Sequence, residues 1–329
     1  MEQLAVYTNA SYVEQGATGD FYLDLECNSL GVNDDPTDGN TFAVQLPESI
    51  RIAADSALFI DGTPWGGIIQ RRVSDTTVDG VLQWEGRTWH GILADRIVEP
   101  PAGSAYYTST GTDTACVTAL ISKLGLSTLF EAGTGTGAAI SYQHPRYKCG
   151  WTCLLKMLES VGERPEFRVV RTGGTVKVLI DCVTASTLDE LADGELADVE
   201  MTAEFRPYNH VIGLGQGELQ NRDVVHYYAD SSGVISSTKS ITGMAERVTV
   251  YDNPSAEHDD LVDGAIEHLR DLQGQGEVDV SLDEGANVAI GDYVKAYDQR
   301  IDESVTSMVT GCVVKVENGI ITCAWSAGE

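Results

Sequence analysis

The sequence predicts an α+β protein that is mainly β. Three observations predict this class. Glycine is frequent and proline scarce, 34 against 9 in 329 residues, which suits many tight turns between short strands. Several segments alternate apolar and polar residues with period two, as half-buried strands do. Only three segments carry apolar residues at helical spacing.

Residues 1–100 are predicted to form an N-terminal β domain. The segment FYLDLEC (21–27) alternates apolar and polar residues, as a strand with one buried face does. Asp61-Gly62 and Asp79-Gly80 separate apolar runs, where hairpin turns are expected. These spacings favour a meander or a small barrel over alternating βαβ units.

Residues 101–185 are predicted to form a small α+β module. The segment DTACVTALISKLG has helical spacing, with Asp113 as a candidate N-cap and Gly125 as the residue that stops the helix. A second amphipathic helix is predicted in GWTCLLKMLESVG. A hairpin that turns at Gly173-Gly174 follows it.

Residues 186–329 are predicted to form a second β-rich domain with one long helix. That helix lies in PSAEHDDLVDGAIEHLRDLQG, where Ser255 can cap its start and Gly274 can end it. Three closing strands follow, and Asn318-Gly319 predicts a type I′ hairpin turn between the last two.

The charge is strongly acidic. Fifty Asp and Glu residues against 21 Lys and Arg give a formal net charge of −29. Duplex DNA is bound mainly through cationic side chains on its phosphates, so this chain should repel DNA. Two interpretations stay open at this point: solubility, for example in a salt-adapted host, or a surface that stays close to nucleic acid without binding it.

The seven cysteines are scattered, and only Cys149 and Cys153 are close in sequence. A zinc site would require paired C-x-x-C motifs or converging histidines, which the sequence lacks, although His144 is near. Buried free thiols are therefore favoured, as in a reducing cytoplasm. The first residues have no signal-peptide pattern, and no apolar run is long enough to span a membrane. A soluble product made in the cytoplasm is expected.

The stretch VIGLGQGELQNRD resembles a phosphate-binding loop at first sight. A dinucleotide fingerprint is G-x-G-x-x-G opening a helix, whereas Gly213, Gly215 and Gly217 give G-x-G-x-G followed by a strand-like segment. The Gly-Lys-Ser/Thr of a P-loop is also absent. A glycine-rich strand or bulge, where two backbones approach closely, is favoured, and no cofactor is expected.

No catalytic motif is visible. The six histidines are dispersed, without H-E-x-x-H, and G-x-S-x-G does not occur. A glycosidase pair cannot be selected among fifty carboxylates by sequence. The sequence therefore predicts no enzymatic activity.

Three stretches together resemble one protein family: WEGRTWHGILADRIVEPPAG (84–103), NHVIGLGQGELQNRDVVHYY (209–228) and VYDNPSAEHDDLVDGAIEHLRDL (250–272). The family is that of the siphovirus Gp37-like tail-hub proteins, related to the baseplate hubs of contractile phages and to type VI secretion spike hubs. The resemblance implies a homotrimeric ring in which each subunit supplies two barrel-like tube domains flanking the α+β module. Such a ring joins a sixfold tail tube to a threefold tip.

The resemblance also implies partners and a location. The partners would be the distal tail protein, the tape-measure protein and tip or fibre proteins, with DNA only passing through the lumen. The chain would lie at the tail tip of the virion after assembly in the host cytoplasm. Gly213, Gly215 and Gly217 would be structural, in a strand near a domain junction, with Arg222 available to pair with a carboxylate. An acidic lumen would explain the charge, and no lytic module is expected before the chain ends at Glu329.

Two other functions stay open. One is a tail-associated cell-wall hydrolase, against which the missing motifs argue. The other is a receptor-binding or carbohydrate-binding β protein, for which Trp65, Trp84 and Trp89 would supply an aromatic platform if they were exposed.

Overall fold

The computed structural model describes residues 3–29, 39–74, 80–189, 197–201, 207–272, 278–282, 287–298 and 303–328. These residues form many strands and four helices, so the predicted α+β, mainly β class is confirmed. The chain has two compact units. Unit 1 comprises Met1–Val199 and Asp279–Glu329, and unit 2 comprises Glu200–Val278.

The helices in the described part of the chain are α1 (Trp89–Ala94), α2 (Asp113–Lys123), α3 (Gly150–Glu159) and α4 (His258–Asp271). The strands there are β1 (Ala5–Thr8), β2 (Glu14–Thr18), β3 (Tyr22–Asn28), β4 (Thr41–Pro47), β5 (Ala57–Ile60), β6 (Gly66–Val73), β7 (Val81–Thr88), β8 (Ile97–Val98), β9 (Thr108–Thr112), β10 (Phe130–Ala132), β11 (Ala139–Gln143), β12 (Lys148–Cys149), β13 (Glu163–Thr172), β14 (Thr175–Thr184), β15 (Thr187–Asp189), β16 (Ala197–Met201), β17 (His210–Leu214), β18 (Val224–Ala229), β19 (Ile235–Ser236), β20 (Val248–Asp252), β21 (Val278–Leu282), β22 (Tyr293–Asp298), β23 (Glu303–Glu317) and β24 (Ile320–Ala327).

One large sheet dominates unit 1. Its main strand order is β16-β21-β24-β23-β3-β4-β7-β6-β5-β1-β2, and β22 and β15 extend it from β23. The sheet joins the two ends of the chain, because β23 pairs antiparallel with β3. Leu25 lies opposite Val314 and Leu23 opposite Val316 in this pair, and all four residues are buried. The predicted three-part division at residues 100 and 185 stays a prediction, and the compact units have other limits.

The period-two prediction for β3 is confirmed. Leu23 and Leu25 are buried, whereas Asp24 and Glu26 lie on the opposite face. Strand β4 repeats the pattern with buried Phe42, Val44 and Leu46. Because side chains alternate across a strand, one face of the sheet is apolar and the other polar.

Aromatic side chains fill the core of unit 1 beneath its helices. His90 of α1 lies edge-on to Trp151 of α3 and to Phe167 of β13, with ring centroids 4.7 Å apart in both pairs. Trp89 packs edge-on against Phe130 at 6.3 Å. Such edge-to-face contacts add to the burial of the rings themselves. Helices α1 and α3 are thereby fixed to β10 and β13.

The predicted α2 and α3 are confirmed, but one cap is wrong. Thr112 is the N-cap of α2, and Asp113 is its first helical residue, because the carboxylate turns inward to bind backbone N–H groups. Gly125 has a positive φ of 71° directly after the C-cap Leu124, as predicted for a helix stop.

Three predicted glycine turns of unit 1 lie wholly within the described residues, and all three are confirmed. In the fourth predicted turn, at Asp79-Gly80, Asp79 lies outside the described residues. Asp61 and Gly62 follow β5 in its hairpin with β6, and Gly62 has a φ of 72°. Gly173 and Gly174 connect β13 to β14 with φ of 61° and 83°. Asn318 and Gly319 connect β23 to β24 with φ of 53° and 76°, the two positive values that a type I′ turn requires.

The described residues of unit 2 form a four-stranded sheet and one α-helix. The strand order is β19-β18-β17-β20, and α4 packs on one face. The helix is confirmed where predicted, but its N-cap is Glu257 rather than Ser255. The side chain of Glu257 makes no capping hydrogen bond to the first turn of the helix. The predicted stop at Gly274 lies outside the described residues.

No closed barrel occurs among the described residues, since the large sheet follows an open strand order. None of the helices found in the described ranges is long and apolar enough to cross a membrane.

Candidate functional site

Two of the three glycines that could have held a phosphate, Gly213 and Gly215, lie under helix α4. A Cβ atom at Gly213 would approach Val225 Cγ2 to 2.6 Å and Ala265 Cβ to 3.1 Å. A Cβ atom at Gly215 would approach Leu261 Cδ2 to 2.7 Å. Both positions therefore lack a side chain because the helix packs directly on the strand.

Gly217 and Arg222 belong to the turn after β17. Gly217 has a φ of 96°, a region that L side chains rarely adopt. The turn closes with a hydrogen bond of 2.8 Å from the Asp223 N–H to the carbonyl of Gln216. Arg222 donates from Nε to the carbonyl of Gly215 at 3.1 Å, and its guanidinium contacts the carboxylate of Asp252.

The segment after the glycines does not have the geometry of a dinucleotide-binding turn. A short 3-10 turn, Leu219–Asn221, and then the antiparallel strand β18 follow them, not a helix. The first free amides of a helix, which would bind a pyrophosphate, are missing from that position. The structure thus brings the four predicted residues into one tight corner of unit 2.

The polar face of the large sheet carries an open depression of about 570 Å³. Its lining is Asp24, Glu26, Thr41, Phe42, Ala43, Gln70, Arg71, Glu85 and Gly86. Three carboxylates and a single arginine line it, so we name it the acidic depression. Arg71 donates to Glu85 from Nε at 2.7 Å.

Arg71 and Gln83 both donate hydrogen bonds to Glu85 in the acidic depression. Hydrogen bonds from Arg71 and Gln83 lower the pKa of Glu85. Asp24 and Glu26 point from β3 on the same face. A surface of this sign repels phosphate, and nothing in it positions a nucleophile against a base.

One serine–histidine pair resembles a nucleophile and its base. Ser109 Oγ lies 2.8 Å from His144 Nε2. However, both residues are buried, and His144 Nδ1 has no hydrogen-bond partner. Burial lowers the pKa of His144 to about 4. A catalytic pair needs substrate access and a third group that orients the imidazole, and this pair has neither.

Two histidines that are far apart in the sequence meet in unit 2. His210 Nε2 lies 2.9 Å from His226 Nδ1, and His210 Nδ1 lies 2.8 Å from Glu246 Oε1. The sequence prediction of dispersed histidines missed this contact. The signal was the hairpin register, because His210 pairs with Tyr228 and Ile212 with His226, which makes the two imidazoles diagonal neighbours on one face.

The cysteines are free thiols, and six of the seven are buried. Cys149 is the N-cap of α3, and its sulfur accepts from the Thr152 N–H at 3.5 Å. His144 cannot join it in a zinc site through Nε2, which is bonded to Ser109.

The three tryptophans that a carbohydrate-binding protein would expose do not form an aromatic platform here. Trp84 and Trp89 are buried, with 2% and 1% of their surfaces exposed. Trp65 is half-buried, and its ring centroid lies 6.0 Å from that of Trp325. Trp84 and Trp89 therefore offer no exposed ring to a carbohydrate, and Trp65 offers only part of one.

No protein-family model matches the sequence, and no curated protein matches it. Solved structures match over nearly the whole chain. A tail protein from Neisseria meningitidis MC58 is 15% identical, with a TM-score of 0.51 and coverage of 100% of this chain and 97% of its own. The 43 kDa tail protein of prophage MuSo2 from Shewanella oneidensis is 12% identical, with a TM-score of 0.52 and coverage of 98% of both chains.

A chain of the phage P2 baseplate in its activated conformation is similar as well. It is 10% identical, with a TM-score of 0.50, and the match covers 99% of this chain and 98% of that chain. At these identities the similarity establishes the fold. The chain therefore has the fold of phage tail and baseplate proteins from end to end.

Proposed function

We propose that the chain is a structural protein of a phage tail, located at the hub of the tail tip or baseplate. The observation that carries the proposal is the match in fold to tail and baseplate proteins over 98–100% of this chain. A shared fold does not by itself establish a shared function, so the proposal needs the site as well. The acidic depression and the absence of an accessible catalytic pair among the described residues support a non-enzymatic role.

The finer assignment follows the sequence resemblance. We propose a homotrimeric hub of the siphovirus Gp37-like type, with two tube-type β domains in each subunit around a central passage. Its partners would be the distal tail protein, the tape-measure protein and tip or fibre proteins. Gly213, Gly215, Gly217 and Arg222 would have a structural role, because they let α4 pack closely and fix the turn after β17.

The acidic charge fits a passage for DNA. A wall with the same sign as the phosphates keeps a moving duplex from binding. Within the described surface, the polar face of β3 and β4 fits such a wall, since Asp24 and Glu26 lie in the acidic depression. Inside a narrow ring, such carboxylates would face the duplex from several subunits at once.

The decisive experiment is the solution mass of the purified chain, followed by electron microscopy of the particle. The expected result is a particle of three chains with a central hole, with the acidic depression facing that hole. A stable monomer at high concentration would contradict the ring. A ring whose inner wall is neutral or basic would contradict the account of the charge while leaving the hub intact.

A non-enzymatic role is tested separately. We expect no clearing when the purified chain is applied to a peptidoglycan zymogram. Clearing would favour the cell-wall hydrolase.

A further inference from the structure

Three buried carboxylates surround one loop of unit 1. The loop, residues 133–138 with the sequence GTGTGA, connects β10 to β11. Asp113 of α2, Glu163 of β13 and Asp181 of β14 all bond to it, and each is at most 5% exposed. Buried carboxylates are costly unless their charge is neutralised, so each needs a partner.

Asp181 has a cation. Arg168 donates to it from Nε at 2.8 Å and from Nη2 at 3.0 Å. Thr134 adds its N–H at 2.5 Å and its hydroxyl at 2.8 Å. Burial opposes ionisation, but the hydrogen bonds of Arg168 and Thr134 outweigh it and hold the pKa of Asp181 below its ordinary value.

Asp113 has backbone donors instead of a cation. The Thr114 N–H donates to Oδ1 at 2.6 Å, and the Gly137 N–H donates to Oδ2 at 2.9 Å. Burial opposes ionisation here too, but backbone N–H groups of residues 114 and 136–138 hold the pKa of Asp113 below its ordinary value. Its place in the first turn of α2 also favours a negative charge. Asp113 is therefore the ionised member of the cluster.

Glu163 has neither a cation nor backbone donors. It is 3% exposed. Its Oε1 contacts the hydroxyl of Thr136, and its Oε2 has no hydrogen-bond partner as long as the carboxylate is ionised. A carboxylate oxygen of Asp113, a carboxylate oxygen of Glu163 and the sulfur of Cys182 lie within 4.8 Å of one another. An ionised Glu163 would place a second negative charge beside Asp113 without compensation.

The groups facing Glu163 supply no positive charge among the described residues. Helix α2 contributes Asp113 and Cys116, and β14 contributes Asp181 and Cys182. On β13 itself, Arg168 is bound to Asp181, and the neighbouring Arg164 donates from Nε to Asp292 at 2.9 Å.

A proton fits this cluster better than a metal ion. Burial raises the pKa of Cys182 to about 12, so its sulfur is a thiol at neutral pH. Metals are bound by the thiolate, not by the thiol.

We propose that Glu163 keeps its proton at pH values where exposed glutamates are already ionised, and that its Oε2–H donates a hydrogen bond to Asp113, which fastens loop 133–138 to β13 through Thr136. Two close carboxyl groups that share one proton are a stable arrangement where two charges are not. The inference concerns the folded chain and holds whether or not copies assemble into a ring.

The pair makes stability depend on pH. Burial, followed by the charge of Asp113, raises the pKa of Glu163 above its ordinary value. A raised pKa in the folded state means that the folded chain holds a proton which the unfolded chain has lost. This stabilisation is complete below the ordinary glutamate pKa of about 4.3 and is lost as pH rises through the raised pKa of Glu163.

The test compares the full chain with its Glu163→Gln variant, in which an amide replaces the carboxylic acid without a titrating proton. Between the pKa of Glu163 in the unfolded chain and its raised pKa in the folded chain, one proton is released on unfolding. In that pH range we expect the unfolding constant of the wild type, divided by that of the variant, to rise about tenfold per pH unit. Glu48→Gln, at an exposed glutamate, serves as the matched control and should keep the wild-type profile. Identical pH profiles for wild type and Glu163→Gln would overturn the proposal.

A second measurement does not depend on the variant folding. Carbon-13 NMR of the wild-type chain labelled at glutamate carboxyls, followed over a pH titration, should show one carboxyl group that keeps its proton after the other glutamates have ionised. A titration in which no glutamate ionises later than the exposed ones would overturn the proposal. Stoichiometric zinc bound to the purified chain and lost in Glu163→Gln would also overturn the proposal, because a metal ion would then neutralise the cluster in place of the proton.

Discussion

The two units use different means to hold their strands together. Unit 2 is one continuous segment, in which the hairpin β17–β18 and the helix α4 form around a small core of Val211, Leu261, Ala265 and Leu269. Unit 1 is assembled from two segments, and β3 pairs with β23 near the opposite end of the chain. The folding of unit 1 therefore depends on contacts between residues that are distant in sequence. The folding of unit 2 depends on the close packing of α4 on its sheet.

A buried ion pair shows this difference most clearly. In unit 1, Asp292 accepts from Arg164 at 2.9 Å, across 128 residues of sequence, and from the Ser186 N–H at 2.7 Å. The side chains of Asp292 and Arg164 are 1% and 13% exposed. In unit 2, the packing of α4 on β17 depends instead on Gly213 and Gly215, which have no side chain to hold the helix away from the strand.

The largest expected effect is in unit 1. Asp292→Ala should lower the free energy of unfolding by about 3–5 kcal/mol, because it removes the buried carboxylate that accepts from Arg164 Nε and from the Ser186 N–H. Arg164 would keep a contact of 3.5 Å to the more exposed Glu166. All five tryptophans lie in unit 1, so their fluorescence reports its unfolding selectively. Hydrogen exchange of α4 should stay unchanged at low denaturant.

Its control is an exposed ion pair of the same unit. Asp61 lies 2.7 Å from Arg171, with both side chains more than a third exposed. Asp61→Ala should cost at most about 1 kcal/mol. Equal losses for the two variants would show that the pair of Arg164 and Asp292 has no special part in unit 1.

A smaller effect is expected in unit 2. Gly213→Ala should destabilise it by about 1–3 kcal/mol, because the new methyl group meets Val225 and Ala265. Hydrogen exchange of α4 would detect the change, while tryptophan fluorescence would not. Adding Val225→Ala should remove part of the clash, so the double variant should be more stable than the sum of the single losses predicts. Simple additivity would mean that the contact is not limiting.

The smallest effect is expected at the turn after β17. Arg222→Ala removes a partly exposed ion pair, with side chains 24% and 56% exposed, and should cost about 1 kcal/mol or less. The amide of Asp223 should exchange faster, since the turn loses the bond from Arg222 to Gly215. Arg222→Lys keeps the charge but not that bond, and exchange as slow as in the wild type would show that charge alone fixes the turn.

Much of the local structure was predictable. Alternation in β3, helical spacing in α2, α3 and α4, and the turns at Gly173-Gly174 and Asn318-Gly319 are confirmed, because each depends on neighbours within one strand or one turn. The helix caps were the weak point. Asp113 and Ser255 both have the side chain of an N-cap, but Asp113 turns to the loop at 136–138 and Ser255 lies outside the helix.

The candidate sites were less predictable. The sequence predicted that another part of the backbone packs closely on the glycines at 213–217, but it did not predict which part. Only the fold shows that α4 packs on Gly213 and Gly215. The contact between His210 and His226 required the exact register of two strands, and a shift of one residue would have separated them. Nothing in the sequence distinguished Glu163 from the other acidic residues.

The sequence by itself determined the class, the turns, the helices and the acidic charge, because periodicity, backbone preference and composition act over a few residues or over the whole chain as a sum. Only the tertiary structure decided that β23 pairs with β3, that Arg164 meets Asp292, and that Glu163 lies beside Asp113 without a cation. Those pairings depend on which distant segments can bury their apolar faces together. Charged side chains such as Arg164 and Glu163 can then pair only with the groups that the burial of the apolar faces brings next to them.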